Sequence, residues 1–254
     1  NIAGFRASTA LDLFSERPVE SVDGALRWVD LARAAGERYE TVLGLIAIAT
    51  GTVAATGERS AGPAVQECVA EARQLANPSS LSTALTVLGL HLAELDPMQS
   101  IPILEEAIQV GTTVGNQQAI RIAQAGLARG YDLLGDEQAS LQAYLRAMNI
   151  PPGAGHRHSL TAAFIGIASM LARSGRDEDA ALLLGAADSI FIPPLSWFSE
   201  TRYQTLAALN ERLGDDRVAV LLARGSTMTD DETVAYARTT LEAVEASRPP
   251  NSAR

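Results

Sequence analysis

The stretch LARGYDLLGDEQASLQAYLRA, residues 127–147, decides how the rest of the chain is read. Leu127, Ala128 and Tyr131 recur at helical spacing, Gly135-Asp136 interrupts them, and Ser140, Tyr144 and Ala147 resume the period in a second helix. The stretch FIGIASMLARSGRDEDAALLLGAA, residues 164–187, repeats the pattern with Phe164, Ile167, Ala168, Leu171, then Gly175, then Ala180, Leu184 and Ala187. Small residues at 128 and 168 let the two helices of one hairpin approach closely. Aromatic or Leu side chains at 131, 144, 171 and 184 fill the space between stacked hairpins. The inter-helix glycine allows the left-handed backbone of a helix C-cap.

Working outward, the alanine near the end of each second helix recurs as Ala32, Ala72, Ala107, Ala147 and Ala187, at intervals of 40, 35, 40 and 40. The two units resemble a tetratricopeptide (TPR) repeat, with small, aromatic and turn positions in matching order and Pro152 closing the first. Their period is nearer 40 than the ~34 of that consensus. Helical periodicity runs throughout, and no segment alternates with a β period. Ten of the eleven prolines, Pro63 among them, fall where the pattern breaks; Pro102 is expected in a first turn capped by Ser100. The expected fold is all-α: a right-handed superhelical solenoid of antiparallel helix hairpins (TPR-like, period about 35–40 residues) with a C-terminal capping helix. Residues 1–196 are read as the hairpin repeats, 197–247 as terminal helices and cap, and 248–254 as a linker-like tail.

Composition narrows the function. The 254 residues are 47% hydrophobic but 5% aromatic, so the core is built from Ala, Leu, Ile and Val. All 20 basic residues are Arg, and the absence of Lys removes Walker-type phosphate loops, kinase-type catalysis and Schiff-base chemistry. A net charge of −10, spread evenly over both halves, argues against nucleic acid as a partner of this chain. Cys68 is the single cysteine and reads as packing, which fits a reducing cytoplasm. The longest uncharged run, Thr41 to Gly57, is interrupted by glycines and too short for a bilayer span. The opening Asn1-Ile-Ala-Gly-Phe-Arg6 carries neither an initiator Met nor a signal pattern, so a longer parent polypeptide is expected.

Charge separates the two kinds of helix. Second helices carry Glu67, Glu71 and Arg73, or Asp177, Glu178 and Asp179; first helices such as Ser80–Ala93 and Ser159–Ala172 carry no Asp, Glu or Arg. In such a solenoid the first helices line the concave surface. Their blandness reads either as tight packing with little exposed groove or as an apolar groove filled by a ligand, partner helix or neighbouring domain.

From Ala180 to Ala237 the chain resembles the C-terminal TPR-like region of large, chiefly actinobacterial, signalling regulators. The matching residues are Leu183-Leu184-Gly185-Ala186-Ala187, Pro193-Pro194, Arg202-Tyr203, Leu213-Gly214, and then Gly225, Met228, Thr229, Glu232, Val234, Tyr236 and Ala237. The resemblance implies that the helical region follows a STAND-type ATPase switch. It also implies a LuxR-type DNA-binding domain or a nucleotide cyclase domain elsewhere in the parent. Independently of it, Thr229-x-x-Glu232 is a capping box that opens a final amphipathic helix with Glu242 and Glu245 outward.

Candidate chemistry is sparse. His91 and Glu94 form only half of a carboxylate-bridged metal motif, His156-Arg157-His158 reads as an exposed loop pair, and Asp215-Asp216 and Asp230-Asp231-Glu232 read as helix N-terminal carboxylates. No catalytic residue, cofactor or metal is expected. The expected function is a non-catalytic sensor or protein-interaction module that binds an effector or partner domain and biases an attached switch. The alternative is an oligomerisation or autoinhibitory scaffold, and an enzyme is the weakest reading. The expected partners are protein, through other parent domains or a second copy, or a small effector, with neither nucleic acid nor membrane. The expected contacts are Arg129, Asp132, Ser169 and Arg173, the polar first-helix residues nearest the positions where TPR repeats meet ligands; the alternative for each is a solvated or intrahelical contact.

Overall fold

A computed structural model describes residues 18–56, 58–151, 156–189 and 196–247; side chains are described from residue 22, and not at 53–61, 156–159 and 196–199. The described residues form twelve helices and no strand: α1 (Pro18–Ala35), α2 (Arg38–Thr56), α3 (Glu58–Gln74), α4 (Pro78–Ala93), α5 (Pro97–Val114), α6 (Gln117–Leu133), α7 (Glu137–Met148), α8 (His156–Arg173), α9 (Asp177–Asp188), α10 (Ser196–Leu213), α11 (Asp215–Ser226) and α12 (Asp230–Ser247). The chain is all-α.

Local chemistry sets the boundaries. Asn77, Asp96, Asn116 and Asp136 each accept a hydrogen bond from a backbone N–H three residues on, capping α4 to α7. Pro78 and Pro97 open α4 and α5, where a missing N–H costs nothing. Gly135 and Gly175, the interrupting glycines of the two quoted stretches, take φ of +77° and +75°, a conformation that side chains resist.

Two proline expectations fail. Pro63 lies inside α3, not at a break, and Pro102 lies in the second turn of α5 rather than the first. The cap of α5 is Asp96 rather than Ser100, whose buried hydroxyl donates to the Gly89 carbonyl of α4 at 2.7 Å. A cross-helix bond thus outcompeted the local capping role, and the helix begins one turn earlier.

Each helix from α1 to α7 packs on its successor, and α2, α4, α6, α8 and α10 also pack, each on the next of that series. The recurrent alanines Ala32, Ala72, Ala107, Ala147 and Ala187 lie on α1, α3, α5, α7 and α9, all at 2% exposure or less. With Cβ as the only side-chain atom, they bring backbones close enough for cross-helix bonds: Ser82 Oγ and Arg121 Nε, at equivalent places on α4 and α6, donate to the Ala107 and Ala147 carbonyls. Phe164, Tyr144 and Trp28 supply the large aromatic bulk of the buried core.

The last helix departs from its expected place. Instead of covering the end of the row beyond α11, α12 turns back and packs on α7, α8 and α9. No helix among the described residues is long and apolar enough to cross a membrane.

Candidate functional site

The structure brings all four expected contact residues together, in a setting the sequence reading lacked. Arg129 on α6 donates through Nε and Nη2 to the two carboxylate oxygens of Glu94, just after α4, at 2.6 and 3.1 Å. One turn along, Asp132 lies 3.8 Å from Arg129 Nη1 and accepts a hydrogen bond from Arg173 of α8. Arg173 Nη1 also donates to Ser169 Oγ at 2.9 Å. Glu94, Arg129, Asp132, Arg173 and Ser169 therefore form one continuous polar seam across three first helices.

Arg129, Glu94 and Asp132 are only 19%, 20% and 15% exposed, so the bidentate pair is shielded from water and salt. Burial pulls the Arg129 guanidinium pKa down, but the hydrogen bond and charge of Glu94, together with Tyr144 and Asp132, outweigh it, and the Arg129 pKa is raised. Under the seam lies Tyr144, the aromatic of the first quoted repeat. Burial pushes its phenol well above the ordinary range, Asp132 pushes it further, and Arg129 and Arg173 pull it back. Its hydroxyl occupies the space where Gly166 of α8 lacks a side chain; an added Cβ there would lie 2.7 Å from the Tyr144 Cζ.

Further cross-repeat pairs extend the pattern. Arg212 of α10 makes a bidentate pair with Asp177 at 3.0 and 2.7 Å and reaches the Ala172 carbonyl at 3.1 Å. Arg217 pairs with Glu178, Arg73 with Glu106, and Arg33 with Glu67. Partners lie 33 to 41 positions apart, one repeat length. The exposed pairs contribute little stability each. Arg121, 1% exposed on α6, donates to the carbonyls of Ala147, Ile150 and Pro151, binding the end of α7 to its partner helix. Arg121 does not stand out in a sequence reading, and Glu94 does so only as half of a metal motif with His91, because the real partner of each lies about 26 to 35 positions away.

No family model and no curated protein matches the chain. The reading of the site therefore rests on geometry. Where it is described, α8 is a packing surface: residues 160–168 are buried without a break, and Leu85 of α4 is at 0% exposure. Cys68 is buried, its thiol pushed to about 12 by burial and by nearby Glu67, with Sγ 3.8 Å from the Val42 carbonyl. Glu94 is paired with Arg129 rather than poised with His91 for a metal, and among the described residues no group of three or more His, Cys, Asp or Glu could hold one. His156-Arg157-His158, read from the sequence as an exposed pair at the entry of a helix, stands at the start of α8, and its side chains lie outside the described residues.

Clefts among the described residues border α12 on two sides. One, of about 430 Å³, lies between the start of α7, the α8–α9 turn and the end of α12, with Arg173 and Arg176 in its wall. The other, of about 620 Å³, is bounded by Leu182 of α9, Arg224 in the last turn of α11, Met228 after it, and Tyr236 of α12.

Proposed function

We propose that this chain is a non-catalytic helical-repeat interaction module, a TPR-like right-handed superhelical solenoid within a larger cytoplasmic signalling or transcriptional regulator. It acts as a scaffold that holds a protein partner or a neighbouring domain. The observation that carries this reading is the seam of Glu94, Arg129, Asp132, Arg173 and Ser169. The polar side chains best placed to meet a ligand bond to one another instead, and they tie successive hairpins into a stiff unit. A receptor for a small effector would need some of them unpaired, since a charge already matched in a shielded site gains little from a second partner. The resemblance over Ala180–Ala237 supports the regulator setting, with any ATPase, cyclase or DNA-binding activity residing in other parts of the parent.

One observation favours the sensor alternative: Arg173, 48% exposed, belongs both to the seam and to the wall of the 430 Å³ cleft. A thermal-shift survey with nucleotides, cyclic nucleotides and small organic anions separates the readings. For a scaffold, the melting temperature stays within about 1 °C across the survey. A saturable increase abolished by Arg129→Gln or Arg173→Gln would replace the scaffold with an effector sensor. Turnover of any nucleotide by the purified chain would defeat both.

A further inference from the structure

The helix α12 is seated differently from every helix before it. From α1 to α7 each helix packs closely on the next, but contact between α7 and α8 thins, and α12 occupies the space against both and against α9. Its seat is a single stripe: Thr233, Ala237, Thr240, Leu241 and Val244 are buried, five of 18 residues. Both clefts described above have α12 as a wall. Ala243, Val244 and Ser247 border one, and Glu232, Ala235, Tyr236 and Thr239 border the other. The helix is thus flanked by unfilled space on two sides.

Few bonds hold it. Glu245 accepts from Gln142 of α7, Arg176 donates to the Thr240 carbonyl at 3.2 Å, and the Tyr236 hydroxyl donates to Asp179 of α9. All three are polar contacts that water can replace. The helix also carries its own start signal. Thr229 N donates to Glu232 Oε2 at 2.8 Å and Glu232 N to Thr229 Oγ1 at 3.3 Å, a reciprocal box that needs no tertiary contact. Between α11 and α12 lie only Thr227, Met228 and Thr229. The apolar residues Ala237, Leu241 and Val244 follow at i, i+4 and i+7, the spacing by which an amphipathic helix occupies a groove.

We propose that α12 is a detachable latch: an amphipathic helix seated in cis in a helix-binding groove of α7, α8 and α9, which swings out about Thr227–Thr229 while α1 to α11 stay folded. The vacated groove takes a helix of the same face, so the α12 of a second copy is its natural occupant, as in domain exchange. The latch goes beyond the scaffold reading and does not depend on it.

Hydrogen exchange on the unaltered chain is the first test. The amides of residues 230–247 exchange at least roughly 100-fold faster than those of α9 and α11, as a separate unit. A Gln142→Cys, Glu245→Cys pair slows them when oxidised and not when reduced. The second test uses a labelled peptide of residues 229–247. It binds the full chain carrying Leu241→Asp and Val244→Asp, which cannot seat its own helix, and binds the oxidised cross-linked chain at least roughly tenfold more weakly. Exchange of α12 in step with α9 and α11 would overturn the proposal, as would global unfolding of the Leu241→Asp, Val244→Asp chain. Failure of the peptide to bind that chain while it remains helical would overturn it too.

Discussion

The close crossing of α9 and α11 at Gly185 and Gly225 offers a sharp test of the fold's geometry. Gly185 of α9 and Gly225 of α11 face each other's helix backbone. A Cβ added at Gly185 would lie 2.7 Å from Leu222 C and Cα and closer still to the Leu222 carbonyl oxygen; one added at Gly225 would lie 2.9 Å from Leu182 C. Ordinary contact begins near 3.4 Å, so Gly185→Ala forces α9 and α11 apart by about 0.7 Å or more. Backbone cannot rotate away as a side chain can. The substitution gains roughly 1 kcal/mol of helix propensity, but separating two close-packed backbones costs roughly 3 kcal/mol, the upper end of overpacking. The net loss is about 2 kcal/mol, a fall in melting temperature of roughly 4–8 °C for a chain of this size.

Gly130→Ala is the matched control. It is also a buried helical glycine, but its added Cβ meets only Ile101 Cγ1, at 3.7 Å. There the propensity gain stands alone, and the melting temperature rises by roughly 2–4 °C. Far-UV circular dichroism during heating and in urea reads both. Gly185→Ala combined with Gly225→Ala costs less than the two single changes added, since the same pair of helices is separated once. A Gly185→Ala protein as stable as the parent, or a response equal to that of Gly130→Ala, would refute the close crossing.

Other consequences are as direct. Arg121→Met strips the carbonyls of Ala147, Ile150 and Pro151 of a charged donor and lowers stability by about 2–4 kcal/mol in urea titration; Arg121→Lys, without the fork geometry, restores only part. A double-mutant cycle on Glu94→Gln and Arg129→Gln returns a coupling of about 1–2 kcal/mol, and a coupling near zero would mean that the seam is not formed in solution. Burial of Cys68 and its pKa of about 12 make a thiol reagent at pH 8 react roughly 1,000-fold more slowly in the native chain than in urea. The Thr229 backbone N–H and hydroxyl hold the Glu232 carboxyl below its ordinary pKa of 4.5. A depressed folded-state pKa stabilises α12 above about pH 4.5, and this contribution is lost as pH falls through the folded value. Protection of the α12 amides, taken relative to their intrinsic exchange rate at each pH, therefore falls on acidification, and Glu232→Gln flattens that profile.

The sequence by itself determined the helices and most of their boundaries. A 3.6-residue period, glycine breaks and acidic or amide caps act within a few residues of one another, and the structure places Asp136, Gly135, Gly175 and the box of Thr229 and Glu232 where those local forces require. It also located the alanines at which helices approach, because a repeat imposes one packing geometry at a fixed interval. Pro63 and Pro102 mark the limit of local reasoning: each is tolerated inside a helix whose tertiary packing outweighs the missing backbone bond. Arg129, Asp132, Ser169 and Arg173 were legible as a group on the first-helix faces, but their pairing was not. Whether a charge faces solvent, ligand or Glu94 depends on residues a repeat away in the chain. The buried Arg121, the crossing at Gly185 and the return of α12 onto α7, α8 and α9 likewise belong to tertiary structure alone. An amphipathic helix specifies in its own sequence that it must cover an apolar surface; which surface it covers is decided only by the free space the rest of the chain leaves.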